Sequence, residues 1–202
     1  MEKITELPIY ELRIDQDDES KVEVDFVSLV DKPAIGRSFM AFAEHQRCTF
    51  AIQDEDERII SGPLMLADSP IYRNDDRGEY YVMFTKDTIK QIAQKFFRKG
   101  YQNNVNLMHD DGEMLVGLTM FESFITDEKR GIRPMKAFAD VPDGSWFGSF
   151  KVDNDGAWQM IKDGKVKGFS IEGVFNYKRH QAIDEKSEKL WSQIIDILKK
   201  VG

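Results

Sequence analysis

Short β-prone runs separated by turn residues make up most of the chain, and this pattern limits most strongly what the chain can fold into. The clearest run is KVEVDFVSLV at residues 21–30, where apolar residues alternate along a strand until Pro33 stops it. Weaker or shorter runs predict further strands at 8–14, 64–72, 80–84, 104–108, 114–125, 132–141, 146–152 and 170–177. The pattern predicts a fold built mainly on sheets.

Helical periodicity is confined to three segments. Thr85 is a suitable N-cap for a helix that runs to about Lys99, and Gly100 suits its end. A shorter helix is predicted near 154–163, and an amphipathic helix lies within 184–201. Many strands with few helices between them predict an antiparallel or mixed barrel of the α+β class, not a doubly wound sheet.

Composition excludes several classes of function. The net charge of −8 argues against a nucleic-acid surface, which needs a concentrated cationic face. No run approaches the roughly 20 apolar residues of a membrane helix, and the N-terminus lacks the apolar stretch of a signal peptide. The single cysteine, Cys48, excludes an intrachain disulfide framework and a multi-cysteine zinc site. We expect a soluble cytoplasmic protein that binds neither nucleic acid nor membrane.

Histidine is the usual base for a serine, cysteine or threonine nucleophile. His109 in NNVNLMHDD ends an apolar strand beside a polar turn, whereas His45 and His180 lie in polar, solvated stretches. The local sequence also fits an ordinary turn histidine. A metal site of His109, Asp110 and Asp111 is weakly supported, because adjacent strand residues point to opposite faces. We predict no metal and no cofactor.

Ser170 lies between two glycines in GKVKGFSIEG. The spacing is G-x-S-x-x-G and the serine starts a strand, so this is not the G-x-S-x-G elbow of α/β-hydrolases. In a strand, Ser170 and Glu172 share the less apolar face, opposite Phe169 and Ile171. The local sequence leaves open whether Ser170 is a nucleophile or a turn hydroxyl.

Four blocks of sequence together resemble the phage prohead (capsid maturation) serine proteases, in particular those of the defective-prophage type. The most specific block is GSWFGSFKVDNDGAWQMIKDGKVKGFSIEG, with its Trp-Phe, Ala-Trp and Gly-Phe-Ser-Ile spacing. The other blocks are VDFVSLVDKPAI, GPLMLADSPIYR leading into GEYYVMFTKDTIKQIAQKFF, and NNVNLMHD. The resemblance spans most of residues 24–177.

This resemblance implies a fold like that of herpesvirus assemblin, a β-barrel with surrounding helices. We predict a protease domain over residues 1–180, followed by the amphipathic C-terminal helix at 181–202. By position in the matching blocks, Ser170 is the nucleophile and His109 is the base. His109 would take the proton of Ser170 as it attacks a peptide carbonyl, and water would then release the acyl-enzyme. Backbone N–H groups are expected to stabilise the oxyanion.

The resemblance leaves the third catalytic residue open. In related enzymes, an acidic residue or a histidine orients the base from a strand similar to FVSLVDKPA, and the position expected to be polar is Phe26 here. We select Asp31, which ends that strand, although it fits a turn residue equally well. Asp25, Glu122 and Asp140 are other strand carboxylates, and a Ser-His dyad is a further alternative.

The predicted function is a serine endopeptidase that cleaves scaffold and major capsid precursor proteins, and itself as well. It would act inside the assembling prohead in the host cytoplasm, as a homodimer or a higher oligomer. The alternative is a catalytically inactive structural or scaffold protein of the prohead. A third, weaker alternative is the metal-dependent hydrolase built on His109.

Overall fold

A computed structural model describes residues 7–31, 49–110 and 114–179. These residues form eleven strands and two α-helices, so the prediction of a strand-rich α+β fold is confirmed. The strands are β1 (Ile9–Arg13), β2 (Val24–Val30), β3 (Ala51–Asp54), β4 (Ile59–Met65), β5 (Ile71–Asp75), β6 (Gly78–Met83), β7 (Val105–Leu107), β8 (Leu118–Ile125), β9 (Trp146–Val152), β10 (Gly168–Gly173) and β11 (Asn176–Arg179). The helices are α1 (Lys86–Arg98) and α2 (Asp155–Lys162). Within the described ranges no helix is long and apolar enough to cross a membrane.

The strands form three open sheets with the orders β11-β1-β6-β5, β10-β2-β7 and β3-β4-β9-β8. Most neighbours are antiparallel, and the pairs β1–β6 and β2–β7 are parallel. The predicted closed barrel is wrong for the residues that the structure describes. At each edge of the β10-β2-β7 sheet, a closed barrel would need a further ladder of strand pairing, but the structure has isolated backbone hydrogen bonds there. Phe50 N–H donates to the Lys167 carbonyl at 3.0 Å, and Leu115 N–H donates to the Val105 carbonyl at 2.7 Å.

Local sequence signals account for most elements. The predicted strand at 146–152 is β9, and the helix expected after Thr85 is α1, with the Thr85 hydroxyl accepting from the Thr88 N–H at 3.3 Å. The strand predicted at 132–141 is wrong, because this segment is irregular around one 3-10 turn. Pro134, which lacks an N–H for a ladder, lies within it. The C-terminal helix and its separate unit fall outside the described residues.

The central sheet, β10-β2-β7, has two chemically different faces. One face packs into the core through Val27, Leu29, Val105 and Phe169, each at most 1% exposed. Next to this core, aromatic rings from α1 and β9 pack edge to face. The other face carries polar side chains together with the apolar Phe26 and Val30. The apolar face therefore holds the sheet in place and leaves the polar face available for chemistry.

A buried lysine fixes the loop that leads into β2. Lys95 of α1 is 1% exposed, and its ammonium donates to the carbonyl oxygens of Asp15, Asp17 and Ser20 at 2.9, 2.6 and 3.0 Å. These three bonds use all the protons of an ammonium group. Glu23 Oε2 lies 3.0 Å from the same nitrogen and balances its charge without a further directed hydrogen bond. The buried charge is tolerated because protein oxygen atoms replace its hydrating water molecules.

The carboxylate of Glu23 is held in its ionised form. Burial raises its pKa, but the contacts with Lys95, Tyr101 and Lys99 outweigh burial and hold the pKa of Glu23 below its ordinary value. Tyr101 donates to Glu23 Oε1 at 2.9 Å, and Lys99 Nζ lies 3.5 Å from Oε2. A group whose pKa is lowered on folding contributes stability at higher pH, and this contribution is lost as the pH falls through its folded-state pKa.

We expect the Glu23→Gln variant to be less stable than the parent by about 2 kcal/mol at pH 7, because a buried charged hydrogen-bond partner is lost. The difference should begin to shrink as the pH falls below the ordinary glutamate pKa of about 4.5, where the unfolded chain takes up the proton first, and should be lost as the pH falls through the lowered pKa of folded Glu23. Urea unfolding midpoints between pH 7 and pH 3 measure this. Glu19→Gln, on the same loop but exposed, is the control and should change little. A difference that stays constant with pH contradicts the assignment.

Candidate active site

Three polar side chains form a row across the central sheet. Ser170 of β10 is paired with Ser28 of β2, and Ser28 is paired with Asn106 of β7. Residues directly opposite one another on neighbouring strands point to the same face. All three are buried, with 5%, 0% and 1% of their surface exposed. Serine and asparagine inside otherwise apolar strands are therefore gathered on one face by the alternation of the strands.

A tight turn at the end of β7 places His109 over this row. Met108 and His109 have φ angles of 55° and 61°, and the Asp110 N–H donates to the Leu107 carbonyl at 3.0 Å. A hydrogen bond of this kind that encloses two successive residues with positive φ is typical of a type I′ turn. The His109 N–H donates to Ser28 Oγ at 2.9 Å. The turn is strained for residues other than glycine, and strain of this kind is concentrated at functional sites.

A carboxylate lies against the imidazole of His109. Glu172 Oε1 is 3.1 Å from His109 Nδ1. This oxygen is sealed from solvent and makes no directed hydrogen bond within the described residues, so the ring nitrogen is the polar partner that the structure offers it. The His109 side chain is 47% exposed and that of Glu172 is 18% exposed. One nitrogen of the ring is thus held by a carboxylate, while the ring remains accessible.

The position of Glu172 is fixed by the strand that carries it. Glu172 pairs with Phe26 of β2, and the register shifts between Glu172 and Gly173 in a β-bulge. A Cβ at Gly173 would lie 2.2 Å from the carbonyl oxygen of Glu23, so only glycine fits there without displacing the backbone. The register therefore shifts directly after the carboxylate, and Glu172 lies two residues beyond Ser170 on the same face.

Ser170, His109, Glu172 and Asn106 all line one cavity of about 600 Å³. The remaining wall is largely apolar and includes side chains from β4 and β5. It also carries Arg73. A hydroxyl, an imidazole and a carboxylate that meet in a partly apolar cavity are the groups needed for nucleophilic catalysis with a general base.

The structure brings together two of the three residues predicted from sequence. Ser170 and His109 line the same cavity. Asp31 directly follows β2, is exposed, and is not among the residues that line the cavity. Glu122 accepts a hydrogen bond from Ser149 Oγ at 2.7 Å, and Asp140 is exposed.

The metal alternative rested partly on Asp111, which lies outside the described residues, as do His45, His180 and Cys48. Among residues 7–31, 49–110 and 114–179, no group of three or more histidine, cysteine, aspartate or glutamate side chains is placed to hold a metal ion.

Sequence reasoning did not assign roles to Glu172, Ser28 and Asn106. The alternation of β10 already put Glu172 on the face of Ser170. The approach of this carboxylate to His109 depends on which strands are neighbours, and no local pattern encodes that. For Ser28, the only sequence signal of a functional role was its position as a polar residue within the apolar run of β2.

The chain matches a known protein family. A family model described as Putative phage serine protease XkdF matches residues 48–178, which is more than half of the chain and includes His109, Ser170 and Glu172. Comparison with curated proteins and with solved structures gives no significant match.

The contact with Glu172 predicts the tautomer of His109. A carboxylate accepts only, so the neutral ring should carry its proton on Nδ1 and leave Nε2 as an acceptor. We expect the Glu172→Ala variant to shift the population towards the Nε2–H tautomer, measured by proton–nitrogen correlation spectra of the imidazole. Asp31→Ala is the control, and we expect it to leave the tautomer unchanged. The opposite result, a shift with Asp31→Ala only, would make Asp31 the orienting residue.

Proposed function

Because the chain belongs to the phage serine protease family described as Putative phage serine protease XkdF, we propose that it is an endopeptidase with Ser170 as nucleophile, His109 as general base and Glu172 as the residue that orients the base. The observation that carries this proposal is the geometry of the cavity. Ser170 and His109 both line it, and Glu172 Oε1 lies 3.1 Å from His109 Nδ1.

The proposed reaction follows from the roles of these three groups. Ser170 Oγ attacks the peptide carbonyl carbon, and its proton passes to His109 Nε2. The imidazolium gives that proton to the leaving amine as the C–N bond breaks, which leaves an acyl-enzyme. Water then attacks the ester with His109 again as base, and Ser170 recovers its proton. Glu172 holds Nδ1–H throughout and stabilises the imidazolium.

Glu172 takes the orienting role in this proposal in place of Asp31. In the related proteases the orienting group is expected at the position of Phe26, which is apolar here. Glu172 lies directly opposite Phe26 on the neighbouring strand. Side chains that face each other across an antiparallel pair have Cβ atoms about 5 Å apart, so a carboxylate on either strand can approach the same imidazole.

The proposed substrates are the scaffold and major capsid precursor proteins of a phage prohead, together with the enzyme itself. Membership of a phage protease family supports this class of substrate. The cavity supports it as well, because its volume and mostly apolar wall suit side chains of an extended peptide. The proposed place of action is the assembling prohead, and self-association into a dimer or larger oligomer remains part of the proposal.

The decisive variant is Ser170→Ala. We expect the parent chain to cleave precursor proteins when it is expressed with them in an assembling head, and Ser170→Ala to lower the rate by about 10⁶-fold, because the nucleophile is lost. Gel analysis and mass spectrometry of the precursors measure this. Ser61→Ala is the matched control, since Ser61 is a buried serine outside the cavity and donates to Ser149 Oγ.

The other outcomes separate the alternatives. Cleavage that survives Ser170→Ala but is abolished by a chelator would support the metal-dependent hydrolase. An absence of cleavage by the parent chain in an assembling head would support the structural or scaffold protein. Either outcome contradicts the proposed serine protease mechanism.

A further inference from the structure

Asn106 is a buried amide at the proposed active site. It is 1% exposed and lines the same cavity as Ser170 and His109. Its Oδ1 is sealed from solvent and has no hydrogen-bond partner within the described residues. A buried amide is normally hydrogen-bonded, because leaving it unsatisfied lowers stability. The unsatisfied atom is the amide oxygen, and a half-turn of the amide about the Cβ–Cγ bond exchanges Oδ1 and Nδ2, so Asn106 presents to the cavity a group that can donate as well as accept.

The strand register places this amide within reach of the reacting centre. Asn106, Ser28 and Ser170 are successive members of one row. Neighbouring strands are about 4.8 Å apart, so the Cα atoms of Asn106 and Ser170 are roughly 10 Å apart. Ser28 between them is short, and its hydroxyl already accepts from the His109 N–H. The side chains of Asn106 and Ser170 therefore flank Ser28 on the same face of the sheet, and both line the cavity.

The backbone of Ser170 cannot supply the stabilisation that an oxyanion needs. The Val27 N–H donates to the Asn104 carbonyl and the Leu29 carbonyl accepts from the Met108 N–H, so both residues direct their backbone groups towards β7. Backbone groups alternate in direction along a strand, and those of Ser28 therefore point to β10. Ser28 and Ser170 form a hydrogen-bonded pair, which engages the Ser170 N–H in the ladder.

We infer that Asn106 is a catalytic residue that donates an amide N–H to the oxyanion formed when Ser170 attacks a carbonyl. This role rests on the proposed function. A preorganised amide in a site shielded from water stabilises developing negative charge, and side-chain amides serve as oxyanion donors. A donor of this kind acts on the transition state, so its loss lowers the rate of the chemical step more than it weakens binding.

The test uses a fluorophosphonate probe, which needs no identified substrate. Ser170 Oγ would form a bond to phosphorus, the P–F bond would break, fluoride would leave, and the serine proton would pass to His109. We expect Asn106→Leu to lower the maximal labelling rate, kinact, by about 100-fold while KI changes by less than about threefold. Time courses of labelling, followed by mass spectrometry of the modified peptide, give both constants.

Thermal unfolding separates this role from a structural one. Leucine has the same branching at Cγ as asparagine and removes an unsatisfied polar atom, so we expect the Tm of Asn106→Leu to equal or exceed that of the parent. Asn103→Leu makes the same chemical change at an exposed position and should label at the parent rate. If Asn106→Leu does not fold, Asn106→Ala also removes the donor and should show the same loss in kinact.

The failures are distinguishable. If Ser170 of the parent is labelled and either folded Asn106 variant labels at the parent kinact, the oxyanion role is wrong and the proposed function stands. A change in KI alone would make Asn106 a substrate-binding group and overturn the inference. If the parent is not labelled, or if Ser170→Ala is labelled as fast as the parent, the proposed function fails and the role of Asn106 fails with it.

Discussion

The pairing of β10 with β2 is the constraint on which the candidate site depends. It sets Ser170 opposite Ser28 and Glu172 opposite Phe26. A shift of one residue would turn Phe169 and Ile171 towards the polar face and direct the serine and the carboxylate into the core. The bulge at Gly173, where no Cβ fits beside Glu23, makes such a shift unfavourable. The nucleophile and its neighbouring carboxylate are thus fixed by a ladder and not by a loop.

The contacts that stabilise this ladder and the strained features of the site lie in different parts of the molecule. Lys95 and Glu23 secure the segment that enters β2, while Phe169 and its neighbours bury the opposite face of the sheet. On the polar face the chain tolerates two unfavourable features, the positive φ at His109 and the unsatisfied oxygen of Asn106. Such features persist only where the surrounding structure is stable enough to hold them, and they are concentrated where chemistry is done.

Local patterns predicted elements well where one period dominated. β9 matched its predicted bounds and α1 nearly did, because apolar residues recur clearly in both and Thr85 caps the helix. The closed barrel failed, since closure depends on how sheet edges meet and the described strands meet through isolated contacts. Ser170 and His109 came from resemblance, and the structure brings both to one cavity. The alternation of β10 placed Glu172 on the same face as Ser170. The contact of Glu172 with His109 could be seen only in the three-dimensional structure.

The facing positions of Phe26 and Glu172 also bear on how the orienting residue could differ between related proteases. On the proposed assignment, the serine and the histidine keep their places on β10 and after β7. The carboxylate can then be carried by either of two adjacent strands, because opposite residues project side by side from the same face of the sheet. Position 26 is apolar here, and on this assignment the acid comes from β10, where Glu172 faces Phe26. An orienting residue assigned by position along one strand is therefore less secure than one assigned by its contact with the base.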